Sequence, residues 1–304
     1  MYIIIINPTA GQGRAKRIHS RLRKLEKYQR MNPVCYYTKY QGHAELIASK
    51  IKHKTEDVKA LIVIGGDGTM HEVMNGLRNK QIPLFFIPGG SGNDFARGIN
   101  AHQNPKKAFK SILENKRAKS YWLGNYKEEN KTKRHFINCV GVGFDAVVAK
   151  SANHSKLKKI FNPLRLGTLV YTLTIIRELW SYKPINLVVE TEKERINFPR
   201  CFLLTVNNHA YFGGGMKINP VATNQCDFLS MLVVDSISKW KVLALFITVF
   251  FGKHLYFKEV KVIQANKIKL SANCPMPYQV DGEYGRTVAC TINKDPIPVK
   301  VNGC

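Results

Sequence analysis

The first third of the chain alternates strand-like apolar runs with segments whose apolar residues recur about every four positions. The strand-like runs occupy residues 2–6, 33–38, 60–64 and 84–87. After the third run, apolar residues follow at helical spacing: Met70, Val73, Met74 and Leu77. Strands that are apolar throughout and alternate with amphipathic helices are typical of a parallel sheet covered on both faces. The pattern therefore predicts an N-terminal α/β domain.

The pattern changes after a polar stretch at residues 125–135. Most of the chain beyond this stretch reads as short strands, the last of them at residues 297–302, and helical stretches such as 239–251 are the exception. Runs of short strands with few helices are typical of antiparallel sandwiches. We therefore predict an α/β protein with two domains, a parallel-sheet domain over residues 1–123 and an antiparallel β-sandwich domain over residues 124–304.

The charge of the chain narrows the class of partner. Its 304 residues include 47 Lys and Arg against 21 Asp and Glu, which gives a formal charge of +26. Such a balance indicates an acidic partner: nucleic acid, an anionic membrane surface or a phosphorylated small molecule. Basic and bulky apolar residues alternate at 150–165, as they do in segments that bind membrane interfaces. No other feature favours nucleic acid, so we expect a membrane surface as partner; the pattern predicts no oligomeric state.

The cysteines and the apolar runs indicate the compartment. The 7 cysteines are scattered and form no CxxC pair, so we expect neither a zinc site nor a disulfide framework. The N-terminus lacks a charged leader, and the longest apolar run, at 242–252, is far shorter than the roughly 20 residues that span a bilayer. We therefore expect a cytoplasmic protein that associates with membranes peripherally.

Three glycine-rich loops each join a predicted strand to a predicted helix. They read NPTAGQG at 7–13, GGDG at 65–68 and PGGSGN at 88–93. The carboxyl ends of parallel strands share one edge of the sheet, where ligands of open α/β sheets bind. Glycine lets backbone N–H groups approach a ligand closely, and helix N-termini favour phosphate. Neither GxGxxG nor a GxxxxGKS or GxxxxGKT sequence is present, so the dinucleotide fingerprint and the P-loop are excluded.

The same loops resemble the nucleotide-site motifs of the diacylglycerol kinase and sphingosine kinase superfamily. The matching stretches are NPTAGQGRA from residue 7, GGDGTMHEVMNG from residue 65 and PGGSGNDFARG from residue 88. VDGEYG at 280–285 resembles the late catalytic motif, and the motifs stand in family order over residues 2–285. The resemblance implies a lipid kinase that uses ATP and Mg²⁺, with a nucleotide-binding first domain and a lipid-substrate second domain, in the manner of the bacterial diacylglycerol kinases.

The resemblance also implies roles for individual residues. The following residues would contact ATP: Asn7, Pro8, Thr9, Ala10, Gly11, Thr38, Gly66, Asp67, Gly68, Thr69, Met70, His71, Glu72, Ser91 and Asn93. Mg²⁺ would lie at Asp67 and Asp94. The catalytic base would be Glu283 in the bacterial branch and Asp67 in the sphingosine kinase branch. We assign the base to Glu283 and place Asp67 in the metal and phosphate network. Asp145 is a candidate contact for the acceptor head group, and we expect His71 to face solvent or phosphate.

Phosphoryl transfer requires groups of this kind. An alcohol that attacks the γ-phosphate must give up its proton, and little else is needed beyond positioning and charge compensation. Carboxylates beside a triphosphate repel it unless a cation lies between them, so Asp67 in its glycine loop indicates Mg²⁺.

Two positions depart from the bacterial pattern. Trp122 stands where that branch carries an Asp of its magnesium network. Cys226, followed by Asp227, stands where its structural metal site has Asp before Gly, and a thiol is a poor ligand for Mg²⁺. One alternative is therefore a nucleotide- and lipid-binding protein with weak or no catalysis. A second is a NAD kinase-like phosphotransferase, which shares GGDG but would not need a basic and apolar surface. The acceptor, diacylglycerol or a sphingoid base, stays open.

Overall fold

The N-terminal part of the protein, in a computed structural model, is a parallel sheet with helices on both faces, as the sequence predicts. The structure describes residues 1–51, 58–77, 82–114, 118–129, 131–154, 177–224 and 228–302. Four parallel strands lie in the order β2-β1-β3-β4: β1 (Tyr2–Ile6), β2 (Val34–Tyr37), β3 (Ala60–Gly65) and β4 (Leu84–Pro88). The helices of this part are α1 (Ala10–Leu22), α2 (Glu26–Met31), α3 (His43–Lys50), α4 (Asp67–Leu77), α5 (Asp94–Gly98) and α6 (Pro105–Leu113).

Strand β1 shows why the apolar runs are continuous. Successive side chains of a strand point to opposite faces of the sheet. Ile3 and Ile5 pack with α3 and α4 in one core, whereas Ile4 and Ile6 pack with α1 and α6 in a second core. Because both faces are covered, no position of the strand is left for a polar side chain.

The last strand of the chain returns to this sheet. Strand β17 (Val299–Val301) pairs in parallel with β4 and antiparallel with β5 (Lys119–Tyr121). The prediction that residues 297–302 belong to the sandwich is therefore wrong for this strand. Val299 and Val301 are buried in the core that contains β1, and the strand is too short for its alternation to specify one sheet over another. The division of the chain between residues 123 and 124 stays a prediction.

The C-terminal part is an antiparallel β domain, as predicted. Its main sheet runs β14-β13-β10-β8-β15-β16-β6-β7, with β9 paired to both β10 and β15. Its strands are β6 (Gly124–Glu128), β7 (Arg134–Phe136), β8 (Cys139–Gly143), β9 (Ile185–Thr191), β10 (Arg195–Asn207), β13 (Leu229–Asp235), β14 (Val260–Ala265), β15 (Lys267–Val280) and β16 (Glu283–Lys294). A short hairpin joins β11 (Tyr211–Phe212) to β12 (Met216–Lys217). Register shifts in β10 and β15 bend these long strands, so the sheet curls over a core of its own.

Helices α7 (Phe144–His154) and α8 (Lys239–Val249) lie outside this curled sheet, and a 3₁₀ turn at Lys253–Tyr256 follows α8. Their apolar residues form a third core with the outward side of β10 and β13. Among the described residues, no helix is both long enough and apolar enough to cross a membrane.

Candidate active site

The three glycine loops meet at the carboxyl edge of the parallel sheet. They pack backbone against backbone: a Cβ on Gly11 would lie 2.2 Å from the carbonyl oxygen of Gly89, and a Cβ on Gly90 would lie 2.6 Å from Cα of Gly66. Gly11 also has a positive φ of 56°. Only glycine fits such approaches, so these residues are required for the loops to close on one another.

Asn7 ties the first loop to the start of α4. Its Nδ2 donates to Oγ1 of Thr69 at 3.0 Å, and its Oδ1 accepts from the backbone N–H and the hydroxyl of Thr9 at 3.1 Å and 2.9 Å. Pro8 and Ala10 belong to the same loop. Thr38, which directly follows β2, donates its backbone N–H to Ile6 at 2.9 Å. The structure therefore places residues 7–11 and Thr38, both predicted to contact ATP, at the carboxyl edge of the parallel sheet.

Asp67 has a structural partner as well as a place among the glycines. Its Oδ2 accepts from the backbone N–H of Asp94 at 3.1 Å, and its Oδ1 accepts from that of Phe95 at 3.0 Å. These two N–H groups open helix α5, so Asp67 caps a helix that starts 27 residues later in the chain. The GGDG loop and the PGGSGN loop are joined through this one carboxylate.

Asp94 stands beside Asp67 and contacts the C-terminal domain. Its Oδ2 accepts from the backbone N–H of Gly214 at 2.7 Å, and its Oδ1 accepts from Arg97 at 3.0 Å. A Cβ on Gly92 would lie 3.3 Å from Oδ2 of Asp67 and 3.8 Å from Oδ2 of Asp94. The two carboxylates therefore border the same small space under the third glycine loop.

The two carboxylates resist ionisation. Burial raises the pKa of Asp67 to about 6, and the neighbouring charge of Asp94 adds to the rise, although two backbone N–H groups oppose it. Burial also raises the pKa of Asp94, against the N–H of Gly214 and the charge of Arg97. Adjacent carboxylates with raised pKa values are stabilised in the ionised form by a cation placed between them.

This pair fits a Mg²⁺ ion better than it fits a self-contained metal cage. In the part of the chain that the structure describes, no three or more His, Cys, Asp or Glu side chains are grouped to hold a metal. Mg²⁺ commonly takes one or two carboxylates and completes its octahedron with phosphate oxygens and water. Asp67 and Asp94 match that arrangement.

Several other predicted contacts use their side chains within the protein. Oε2 of Glu72 accepts from the backbone N–H of Ala44 at 3.0 Å, which caps α3. The Asn93 amide forms two hydrogen bonds with the backbone of Gly90, each 3.1 Å long, and holds the third loop in shape. Met70 is buried in the core. By contrast, Ser91 and Gly68 are exposed at the loop surface.

His71 is not solvated as expected, because it forms an ion pair with the C-terminal domain. It is 1% exposed, and its Nδ1 lies 2.7 Å from Oδ2 of Asp281. Burial alone would lower the pKa of His71, but the hydrogen bond and the charge of Asp281 outweigh it and raise the pKa. The expectation of a solvent-facing His71 is therefore wrong.

Asp281 is the residue that the sequence reasoning missed. Besides His71, it accepts from the backbone N–H groups of Ile137 and Asn138 at 2.8 Å each and of Cys139 at 3.1 Å. It opens the DGE turn (residues 281–283) between β15 and β16 and has a positive φ of 49°. The sequence feature that could have identified Asp281 is its position in VDGEYG, two residues before Glu283.

Glu283, at the end of the DGE turn, is exposed and reaches across to the N-terminal domain. Its Oε1 accepts from Nε2 of Gln41 at 3.2 Å. Gln41 belongs to the segment that links β2 to α3, at the carboxyl edge of the parallel sheet. Glu283 therefore meets this edge from the opposite domain, although its role as the base stays a prediction.

Further contacts hold the two domains in this arrangement. Arg134 on β7 forms two hydrogen bonds with Glu45 on α3, at 3.1 Å and 2.7 Å. Asn75 on α4 donates to the carbonyl oxygen of His135 at 3.1 Å and accepts from its N–H at 3.0 Å. Helices α3 and α4 are thus fastened to β7 beside the DGE turn.

An apolar cavity of about 90 Å³ lies in the C-terminal domain between α7, β10 and α8. Asp145 is the one charged group among its lining residues that the structure describes: Phe144, Asp145, Val148, Phe202, Leu203, Phe212, Met216, Ile218, Val234, Val242, Leu245, Phe246 and Val249. Oδ2 of Asp145 accepts from Nε2 of Gln279 at 2.9 Å, and Oε1 of Gln279 accepts from the N–H of Gly282 at 2.7 Å. One side chain therefore connects the cavity to the DGE turn.

The two departures from the bacterial pattern have different outcomes. Cys226 and Asp227 lie outside the described residues. Trp122 lies between β5 and β6, where its carbonyl oxygen accepts from Nζ of Lys294 at 3.3 Å. Most of the basic and apolar segment at 150–165 also lies outside the described residues.

Comparison with known proteins identifies the family. Residues 1–123 match the diacylglycerol kinase catalytic domain, and residues 138–302 match the YegS C-terminal NAD kinase beta sandwich-like domain. The Bacillus subtilis (strain 168) protein named "Putative lipid kinase YtlR" is 34% identical over 309 residues, which cover 99% of this chain and 98% of that protein.

More distant relatives agree. A diacylglycerol kinase of Mycobacterium tuberculosis (strain ATCC 25618 / H37Rv) is 27% identical over 303 residues, covering 98% of this chain and 93% of the relative. The crystal structure of a diacylglycerol kinase from Bacillus anthracis str. Sterne has the same fold, with a TM-score of 0.71 at 21% identity over 99% of this chain and 95% of that one. The chain thus belongs to the diacylglycerol kinase-like family of lipid kinases and is an enzyme of that family.

Proposed function

We propose that this enzyme transfers the γ-phosphate of ATP to the hydroxyl of diacylglycerol, or of a related lipid such as a sphingoid base, at a membrane surface. The observation that carries the proposal is the apolar cavity whose carboxylate, Asp145, is joined through Gln279 to the turn that bears Glu283. A cavity lined almost wholly by apolar side chains suits part of an acyl chain or of a sphingoid tail and does not suit a polar acceptor.

The proposed reaction uses the loops and the DGE turn as two sides of one site. The glycine loops bind the triphosphate through backbone N–H groups. The acceptor oxygen attacks the γ-phosphorus, its proton passes to Glu283, and the bond to the bridging β,γ-oxygen breaks so that ADP leaves. A Mg²⁺ ion held at Asp67 and Asp94 would supply charge compensation for the phosphates. The exposed position of Glu283 and its contact with Gln41 support the base assignment.

The membrane surface enters the proposal through charge and through the nature of the acceptor. A protein with a charge of +26 is attracted to an anionic membrane leaflet. A lipid acceptor is itself part of such a leaflet. The proposal includes no nucleic-acid partner.

A kinase assay over mixed vesicles tests the proposal. The full chain is incubated with γ-labelled ATP, Mg²⁺ and phosphatidylglycerol vesicles that contain diacylglycerol, sphingosine or ceramide, and NAD is offered separately as a soluble acceptor. We expect label in the organic-extractable lipid, with the phosphorylated head group identified by mass spectrometry. Glu283→Gln should lower turnover about 10²- to 10⁴-fold while the protein still binds ATP.

Other results would replace the proposal with one of its alternatives. Label in NAD but in no lipid would assign a NAD kinase-like activity. Thermal stabilisation by Mg·ATP without transfer to any acceptor would assign a nucleotide- and lipid-binding protein with weak or no catalysis. Near-normal turnover of Glu283→Gln would show that Glu283 is not the base.

A further inference from the structure

Helix α8 carries an apolar stripe on its outer side. Trp240, Ala244, Ile247 and Phe251, the last just beyond the end of the helix, succeed one another at intervals of four, three and four residues, which place them on one face. We call these four residues the outer stripe. All are exposed, and the exposed fractions of Trp240, Ile247 and Phe251 are 71%, 65% and 73%. A helix face in water is ordinarily polar, so this face indicates an apolar partner.

The opposite side of α8 is apolar as well. Val242, Leu245 and Val249 are buried and line the cavity next to Asp145. The helix therefore separates the cavity from the outside by a single layer. A helix that is apolar all round is stable where both of its sides face apolar surroundings. Within the described parts of the chain, the inner side has such surroundings and the outer stripe does not.

A second tryptophan widens the outer stripe into an aromatic patch. The rings of Trp180 and Trp240 meet edge to face with centroids 5.2 Å apart, and Trp180 is 47% exposed. Nζ of Lys239 donates to the carbonyl oxygen of Trp180 and lies 5.7 Å from the centroid of its ring. Tryptophan beside lysine is typical of protein surfaces at the boundary between hydrocarbon and head groups.

The segment that carries the outer stripe is basic, although Asp235 and Glu259 flank it. Residues 236–258 contain four lysines and no Asp or Glu: Lys239, Lys241, Lys253 and Lys258. Lys241 is paired with Glu259 at 2.6 Å, whereas Lys253 and Lys258 are exposed. A protein partner with an apolar patch would need matching acidic residues of its own. An anionic leaflet offers both the apolar interior and the negative surface at once.

We propose that the outer stripe and Trp180 dock onto an anionic lipid bilayer, so that α8 lies in the plane of the head groups. This docking face rests on the proposed function, because its role would be to bring the cavity to a lipid acceptor. With α8 at the bilayer, an apolar acceptor has only the thickness of one helix to pass on its way to the cavity. Binding itself requires neither ATP nor turnover.

Vesicle flotation with the full chain and no nucleotide tests the docking face. We expect the protein to float with vesicles that contain phosphatidylglycerol and to remain behind with pure phosphatidylcholine. The double variant Trp240→Ser/Phe251→Ser should bind phosphatidylglycerol vesicles roughly 10-fold more weakly or worse, because two large apolar side chains no longer leave water. Both positions are exposed, so thermal unfolding should stay unchanged.

The matched control places the same change on another surface. Val288 and Ile297 are exposed apolar residues of the C-terminal part, 38% and 47% exposed, and Val288→Ser/Ile297→Ser should bind vesicles as the wild type does. Equal losses in both double variants, or none in either, would overturn the proposal. So would a concentration-dependent dimer that dissociates on Trp240→Ser/Phe251→Ser, since a second copy would then be the occupant.

The kinase assay separates this inference from the proposed function. With acceptor presented in detergent micelles, the Trp240→Ser/Phe251→Ser variant should turn over as fast as the wild type. Absence of any lipid phosphorylation by the wild type in micelles counts against the proposed function alone. Unchanged vesicle binding by the variant counts against the docking face alone.

Discussion

Asp67 and Asp281 occupy similar structural positions but have different charged neighbours. Each is an acidic residue beside glycine in a tight connection, and each accepts backbone N–H groups from a distant segment: Asp67 from Asp94 and Phe95, Asp281 from three successive residues that begin at Ile137. Asp281 also has the imidazole of His71 at 2.7 Å, whereas the charged neighbour of Asp67 is a second carboxylate.

The difference lies in how the charge of each carboxylate is compensated by the protein. The charge of Asp281 is compensated within the protein, so this residue fastens the DGE turn to α4. Asp67 lies beside a second carboxylate instead, and burial, together with the charge of Asp94, raises its pKa to about 6. Aspartates that look alike in the sequence therefore divide into a fastening residue and a candidate cation site.

Replacing Asp281 should have the largest effect, and this effect should be a loss of stability. Asp281→Ala leaves His71 buried without its partner and three backbone N–H groups without an acceptor. Loss of one member of a buried pair costs about 3–5 kcal/mol of the free energy of unfolding, measured by urea denaturation.

Glu283→Gln is the control for this change, because it lies two residues away in the same turn and is exposed. Its free energy of unfolding should stay within about 0.5 kcal/mol of the wild type. A loss of less than about 1 kcal/mol in Asp281→Ala would mean that the ion pair does not fasten the two domains.

Asp67→Asn should instead act on turnover. The amide keeps an oxygen for one of the two α5 N–H groups but removes the charge that would hold Mg²⁺ against the triphosphate. Loss of a preorganised electrostatic contact of this kind lowers kcat about 10²- to 10³-fold. The measurement is the vesicle kinase assay, with thermal unfolding followed as Mg²⁺ is titrated in the presence of ATP. If the variant keeps the Mg²⁺-dependent rise in Tm of the wild type, the cation does not lie at Asp67.

The pH dependence of stability separates Asp67 from a third buried carboxylate, Asp145. Burial raises the pKa of Asp145 from 3.8 to about 6, and only the hydrogen bond from Gln279 opposes it. Because both carboxyls bind their protons more tightly in the folded than in the unfolded state, each lowers the free energy of unfolding as the pH rises from about 4 to about 6. Above that range the loss is complete.

Asp145→Asn should remove its share of that loss, up to about 3 kcal/mol, and flatten the stability curve over this range of pH. Mg²⁺ with ATP should flatten the shares of Asp67 and Asp94 and leave that of Asp145, since Asp67 and Asp94 face the proposed cation and Asp145 does not. The free energy of unfolding is measured by urea denaturation at a series of pH values. Equal flattening of all three shares by Mg·ATP would show that the nucleotide acts through general stabilisation and not through Asp67 and Asp94.

What the sequence could predict is what periodicity and glycine determine locally. The continuous apolar runs of β1 and β3 require a sheet that is covered on both faces. The glycines of the three loops mark where the backbone of one loop must approach that of another. Both features are local, and both were predicted. The placement of Asp67 among the loops came from the same reasoning.

What could not be predicted depends on partners far away in the chain. His71 occupies a helix position that reads as polar, and it is buried because Asp281 meets it from 210 residues away. The side chain of Glu72 caps α3 and so is not open at the loop surface, and β17 pairs with β4 and β5, which lie far earlier in the chain. Neither propensity nor spacing carries such information, because the determining contact is formed only in the folded protein.

Of these changes, Gln41→Ala should have the smallest effect on stability and on turnover. It tests whether Gln41 orients Glu283. Gln41 donates a hydrogen bond to Glu283 across the two domains at 3.2 Å. Exposed contacts of this kind contribute little to stability, so the free energy of unfolding should change by no more than about 0.5 kcal/mol. If Glu283 is the base, loss of the donor should still lower kcat a few-fold by loosening its orientation, with KM for ATP unchanged. The control is Gln29→Ala: Nε2 of Gln29 donates to the carbonyl oxygen of Arg23 and not to Glu283, so this change should alter neither quantity. A fall in kcat as large as that of Glu283→Gln would mean that Gln41 itself touches the reacting groups, since a group that only orients the base cannot matter as much as the base it orients.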